Sequence, residues 1–228
     1  MNIKQLFDLE SSTYTYLLFD AVQREAIFID PVLEQFERDC MLIEQLNLRL
    51  STIFETHIHA DHVTSSGRMR EQFGCKIAVS RHAKVQGADI HVSDGDTFSF
   101  GSVVLKSLET PGHTSTCTSY VCEGYVFTGD ALLIRGCGRT DFQEGNAAQL
   151  FESVRKKLFV LPDDTIVYPA HDYKGFTSST IGEEKMHNPR LGVEKSKQEF
   201  VEIMKKLHLE RPKKIDIAVP ANLECGLI

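Results

Sequence analysis

The chain has 228 residues, is 42% hydrophobic and carries a formal net charge of -7. That length and apolar content suffice for one domain over residues 1–228 with a sizeable buried core. An acidic balance with no clustered basic stripe argues against nucleic acid as a partner, because a phosphate backbone selects for such a stripe.

The opening "MNIKQLFDLESSTYTYLLFD" lacks both the apolar core of a secretory signal and the Arg-rich, acid-poor character of a transit peptide. No apolar run approaches membrane-spanning length, so no membrane partner is expected. Cys40, Cys75, Cys117, Cys122, Cys137 and Cys225 are scattered with no C-x-x-C pair. A chain of this size needs no disulfide staples, and a reducing cytoplasm is the expected compartment.

In chain order, β-branched and apolar runs bounded by turn residues predict strands over 14–19, 26–29, 51–54, 76–79, 103–108, 119–122, 125–128 and 165–168. Helical spacing appears at Phe36, Cys40, Ile43 and Leu46, and again at Leu150, Val154 and Leu158. Phe200, Ile203, Met204 and Leu207 repeat it among lysines and glutamates, as on a surface helix. Strands with interspersed helices imply sheets covered by helices. Periodicity leaves open whether there are two facing sheets or one doubly wound sheet.

The densest chemistry is "THIHADH", which places His57, His59, Asp61 and His62 on the loop leaving the strand at 51–54. Imidazole with carboxylate is the ligand set of zinc, iron or manganese. Three further strand-end residues can complete a site: His113 after a Pro-Gly turn, Asp130 after a glycine, and His171 in "IVYPAHDY". Spacing alone permits one metal or two.

With H-x-H-x-D-H followed by a distant His, Asp and His, the sequence resembles the metallo-β-lactamase superfamily. That resemblance implies an α/β fold, an αβ/βα sandwich of two mixed β-sheets flanked by helices, with the site at one edge. Within the superfamily, "ALLIRGCGRTDFQ", "YPAHDYKGFTSSTIGEEKMHNPRLG" and "KKIDIAVPANLECG" resemble the persulfide dioxygenases. The rival is a dinuclear glutathione thioester hydrolase of the glyoxalase II type. Its aromatic-rich "FFEG" is absent, and the segment after His171 is short for its larger helical domain.

The resemblance implies one Fe(2+) per chain held by His57, His113 and Asp130, a 2-His-1-carboxylate triad with open positions. Zinc, which is redox-inert, could activate water but not dioxygen. His59, Asp61, His62 and His171 then surround that triad or form a vacant second metal site. The implied substrates are glutathione persulfide and O2, and the products sulfite and glutathione. A homodimer is implied too, with a separate sulfurtransferase or sulfide-oxidising enzyme supplying the persulfide.

Glutathione's carboxylates call for an Arg fork and a nearby phenol, which selects Arg139, Tyr173 and Arg190 as substrate contacts. Arg139 could instead bridge Asp141, and Arg135 reads as a local salt-bridge partner. Cys117 and Cys137 lie near the motif in sequence, but free cysteine is most often a small buried hydrophobe. His82, His91, His187 and His208 have no partners at ligand spacing.

Overall fold

The computed structural model describes residues 1–227. In chain order it runs β1 (Asn2–Asp8), β2 (Thr13–Asp20), β3 (Glu25–Ile29), α1 (Phe36–Gln45), β4 (Arg49–Phe54), α2 (Ser66–Phe73), β5 (Lys76–Ser80) and β6 (Ile90–Val92). The second half holds β7 (Thr97–Phe100), β8 (Val103–Glu109), β9 (Thr118–Cys122), β10 (Tyr125–Gly129), α3 (Ala147–Ser153), β11 (Ile166–Pro169), β12 (Ser179–Thr180), α4 (Ile181–His187), α5 (Lys197–Lys205) and α6 (Ile215–Asn222).

The strands form two six-stranded sheets, ordered β1-β2-β3-β4-β5-β6 and β12-β11-β10-β9-β8-β7. Both are mixed: β3 to β6 run parallel behind the antiparallel β1-β2-β3 meander, and β10 and β11 are parallel within an otherwise antiparallel sheet. This is the sandwich implied by the resemblance, and a single doubly wound sheet is excluded.

Strand alternation explains the layers. Tyr16 and Leu18 of β2 meet Phe127 and Tyr120 of the opposite sheet in the central core. Their neighbours Leu17 and Phe19 point the other way, onto Phe36, Cys40 and Ile43 of α1 and Met69 of α2. With both faces covered, β2 is buried along its whole length, which is why aromatic, aliphatic and β-branched residues fill it from Tyr14 to Phe19 with no polar alternation beyond Thr15. On the far side Val126 and Val167 pack under Leu150, Val154, Leu158, Phe200 and Met204.

All eight expected strands are present, with ends shifted by one or two residues. The helix signalled by Leu150, Val154 and Leu158 widens at Val154–Leu158 into a π-helical turn, where Phe159 N donates to Val154 O over 2.8 Å. Ser196 starts α5 with a capping box closed by Glu199, and that helix buries only Phe200 and Met204, as a surface helix should.

Candidate metal centre

Each motif residue stands just beyond the C-terminal end of a strand: His57 after β4, His113 after β8, Asp130 after β10 and His171 after β11. Parallel pairing of β10 with β11 brings the last two side by side. A bridge between His171 and Thr13 fastens this edge to the first sheet.

One ligand atom from each of His57, His113 and Asp130 falls within 4.8 Å of the others. His113 Nε2 is 3.5 Å from Asp130 Oδ2, and the His57 and His113 rings cross at 84° with centroids 4.9 Å apart. His113 Nδ1 donates to Arg139 O over 2.6 Å; a carbonyl only accepts, so Nδ1 carries a proton and Nε2 is the nitrogen turned toward Asp130 as the potential ligand atom. Burial, then the neighbouring His59 and His113, push His57 well below its ordinary pKa and favour the neutral imidazole that a metal requires.

The trio fits a divalent cation on a second ground. Asp130 Oδ1 is buried with no hydrogen-bond partner among the described residues. A buried carboxylate oxygen without a donor is costly, and a cation between it and the imidazole lone pairs removes that cost. Two histidines and one carboxylate at an open cavity are also the donor set of the non-haem ferrous enzymes.

The remaining motif residues form a second group. Ligand atoms of His59, Asp61 and His62 lie within 4.8 Å of one another. His171 Nε2 is 3.7 Å from both Asp61 Oδ2 and Asp130 Oδ1, so Asp130 stands between the two groups. Burial opposes ionisation of Asp61, but His171 and His62 outweigh it and hold the carboxyl well below its ordinary range. His59 Nε2 lies 3.1 Å from Asp30 Oδ1 and 3.5 Å from Glu55 Oε2. Burial alone would lower His59; the two carboxylates win and hold it well above its ordinary value.

The triad forms the floor of a cavity of about 420 Å3. Leu133, Cys137 and Tyr173 line its walls, and Leu209, Glu210 and Pro212 cross its rim. Tyr173 is 71% exposed and stacks on His171, the rings 6° from parallel with centroids 6.0 Å apart.

Arg139 also borders the cavity, but its fork is committed. It grips Asp141 at 2.7 and 2.8 Å and donates to the carbonyls of Glu210 at 2.6 Å and Leu209 at 3.2 Å. Arg190 sits behind the wall, donating to Cys137 O over 3.1 Å, and does not line the cavity. Arg135 is a salt-bridge partner, but of the sequence-distant Glu183 and Glu184 on α4 rather than of a local acid.

The cysteines are all free and buried. Burial pushes the Cys117 thiol up to about 12 and Cys137 up to about 11, so both remain protonated and unreactive at neutral pH. His82 pairs with Glu109 at 3.1 Å, and His82, His91, His187 and His208 all lie outside the cavity.

Sequence reasoning missed Thr56, Asp30 and Glu55, which support the motif histidines from behind. Asp30 carried a readable signal: in "IFIDP" it follows a strand as Asp130 and His171 do. Nothing local marks the rim segment 209–212, which reaches the cavity only through tertiary packing.

The metallo-beta-lactamase superfamily profile matches residues 10–171. "Persulfide dioxygenase ETHE1, mitochondrial" of Homo sapiens is 52% identical over 228 residues, spanning 99% of this chain and 89% of that protein. The crystal structure of ETHE1 from Myxococcus xanthus superposes with a TM-score of 0.97 at 53% identity, covering 100% of both chains. Hydroxyacylglutathione hydrolase of Rhizobium johnstonii is 41% identical over 129 residues, only 55% of this chain and 49% of that protein. The chain therefore belongs to the metallo-beta-lactamase superfamily and, within it, to the persulfide dioxygenases.

Proposed function

We propose that this chain oxidises glutathione persulfide, with dioxygen and water, to sulfite and glutathione at a single ferrous ion on His57, His113 and Asp130. The atoms balance: persulfide, O2 and water give glutathione and sulfurous acid, which ionises to sulfite. The observation that carries this reading is the 52% identity to a persulfide dioxygenase over 99% of the chain, against 41% identity to a hydroxyacylglutathione hydrolase over 55% of it.

Ferrous iron on the triad would supply the redox chemistry with dioxygen that amino-acid side chains lack. The protein supplies the rest. Leu133, Leu209 and Pro212 give the cavity apolar surface that sheds water around the terminal sulfur. Burial pulls His171 down, but Asp130 and Asp61 raise it above its ordinary value. Its Nε2 would hold the proton that the persulfide sheds on binding. The exposed Tyr173 phenol offers the glutathione moiety a hydrogen bond at the mouth.

On this reading one Fe(2+) serves each chain, the working form is a homodimer, and a separate sulfurtransferase or sulfide-oxidising enzyme delivers the persulfide. The proposed compartment is the cytoplasm. No described helix is long and apolar enough to cross a membrane. The name of the Homo sapiens relative assigns that protein to mitochondria.

The group of His59, Asp61 and His62 beside His171 favours a second reading, a dinuclear hydrolase of glutathione thioesters. Oxygen consumption by anaerobically iron-loaded protein given glutathione persulfide, with metal content measured on the same sample, separates the two. Rapid uptake with about one iron per chain is expected. Thioester hydrolysis without oxygen uptake, at roughly two metals per chain, would establish the hydrolase instead.

A further inference from the structure

We propose that Thr56 is a positioning residue whose hydroxyl links the Asp30 carboxylate to His57 and fixes that ring with its proton on Nδ1 and its Nε2 lone pair toward the metal. The inference rests on the reading of His57 as an iron ligand.

The geometry is a chain of three groups. Thr56 Oγ1 donates to Asp30 Oδ2 over 2.7 Å and lies 3.0 Å from His57 Nδ1. A carboxylate can only accept, and a hydroxyl has one proton to give. That proton is committed to Asp30, so toward His57 the hydroxyl can act only as an acceptor, and His57 Nδ1 must carry the hydrogen. Metal-ligating histidines commonly give their second N–H to a carboxylate or carbonyl; here a threonine hydroxyl stands between.

The surroundings hold Thr56 from every side. Its backbone N donates to Asp30 Oδ1 over 2.7 Å, and its carbonyl accepts from Thr118 N over 2.8 Å. Gly129, at φ +54, leaves the room it occupies: a Cβ there would stand 2.8 Å from both Thr56 Cβ and Oγ1. Asp30 is held in the left-handed region at φ +50, a conformation costly for a non-glycine residue and kept only where the surroundings enforce it. The same carboxylate lies 3.1 Å from His59 Nε2, so Asp30 braces both histidines of the H-x-H pair.

The test is iron release under anaerobic conditions into a colour-forming ferrous chelator, comparing the unaltered full chain with Thr56→Val, Thr56→Ser and His57→Ala. Valine keeps the shape and deletes the hydroxyl; serine restores it. Thr56→Val should hold iron roughly 10- to 100-fold more weakly, the usual cost of removing such a support. Thr56→Ser should stay within about threefold of the unaltered protein if the hydroxyl is the working group. Equal retention by Thr56→Val, or equal loss from Thr56→Ser, would overturn the proposal.

His57→Ala separates the two levels. If it keeps its iron, the ligand reading itself fails; if it loses iron while Thr56→Val does not, only the hydroxyl link fails. Should Thr56→Val not fold, long-range nitrogen–proton NMR of the metal-free, nitrogen-15 histidine-labelled chain decides. His57 protonated on Nδ1 is expected, and protonation on Nε2 would overturn the proposal.

Discussion

Arg139 presents its backbone oxygen to His113 Nδ1 at 2.6 Å while its guanidinium holds Asp141 and the carbonyls of Leu209 and Glu210. One residue thus orients a candidate ligand through its main chain and anchors the cavity rim through its side chain. The two roles separate by mutation, because Arg139→Ala removes only the second. Rim hydrogen bonds are partly screened by water, so their loss is worth about 1 kcal/mol, or about fivefold in affinity. Arg139→Ala should therefore raise KM for glutathione persulfide about fivefold and speed hydrogen exchange over residues 207–213, with iron content unchanged. Loss of iron together with the rim contacts would mean that the side chain also holds the His113 acceptor in place.

Gly138 makes a sharper prediction, because space rather than hydrogen bonding is at stake. A Cβ at this position would stand 2.6 Å from Asp130 O and 2.8 Å from the His113 ring atoms Cγ and Nδ1. Backbone and a braced ring cannot give way cheaply, so Gly138→Ala should cost about 1–3 kcal/mol. It should also leave iron well below one per chain. Gly136→Ala is the control, since its Cβ would meet nothing nearer than Leu133 Cβ at 3.9 Å. Its unfolding midpoint and iron content should match the unaltered protein.

How much was legible beforehand depends on burial. β2 and the central strands are covered on both faces, so their apolar runs declare them. β1 lies at a sheet edge with the polar, partly exposed pattern "NIKQLFD", while β6 and β12 have only three and two residues. None carries enough periodicity to read. α6 was hidden by Pro220, which removes an intrahelical donor and reads as a helix breaker. The motif histidines and aspartates were legible because metal chemistry restricts residue type. Asp30 shared their strand-end position, but its supporting role, like that of Thr56, shows only once the β3–β4 register places Ile29 opposite Phe54 and brings their following residues together.

Asp39 on α1 predicts a pH dependence remote from the metal. Its carboxyl is fully buried, with Arg38 Nε 2.8 Å from Oδ1 and no hydrogen-bond partner for Oδ2 among the described residues. Burial raises it to about 6, with Arg38 offsetting only part of the effect. An unfolded aspartate titrates near 3.9, so below about pH 4 both states are protonated and the group has no effect. Between about pH 4 and pH 6 the folded chain keeps a proton that the unfolded chain has released, and stability falls as pH rises. Above about pH 6 the loss is complete, about 3 kcal/mol at most. Urea unfolding of metal-free protein should show Asp39→Asn gaining on the unaltered chain across that window. A constant offset between the two would show that Asp39 is ionised throughout.

Asp130 faces both donor groups, with Oδ2 3.5 Å from His113 Nε2 and Oδ1 3.7 Å from His171 Nε2, whereas His62 belongs to the second group alone. The two residues therefore report differently on metal number. Asp130→Ala should abolish iron binding and oxygen uptake, because it removes the only carboxylate of the triad. His62→Ala should keep about one iron per chain, since the triad that would hold it is intact. Oxygen uptake should survive too, lowered by the cavity that a lost buried ring leaves beside Asp61. Elemental analysis of the two variants beside the unaltered chain checks this directly. A fall from two metal equivalents to one in His62→Ala would assign His62 Nε2, which is buried without a hydrogen-bond partner among the described residues, to a second ion and favour the hydrolase.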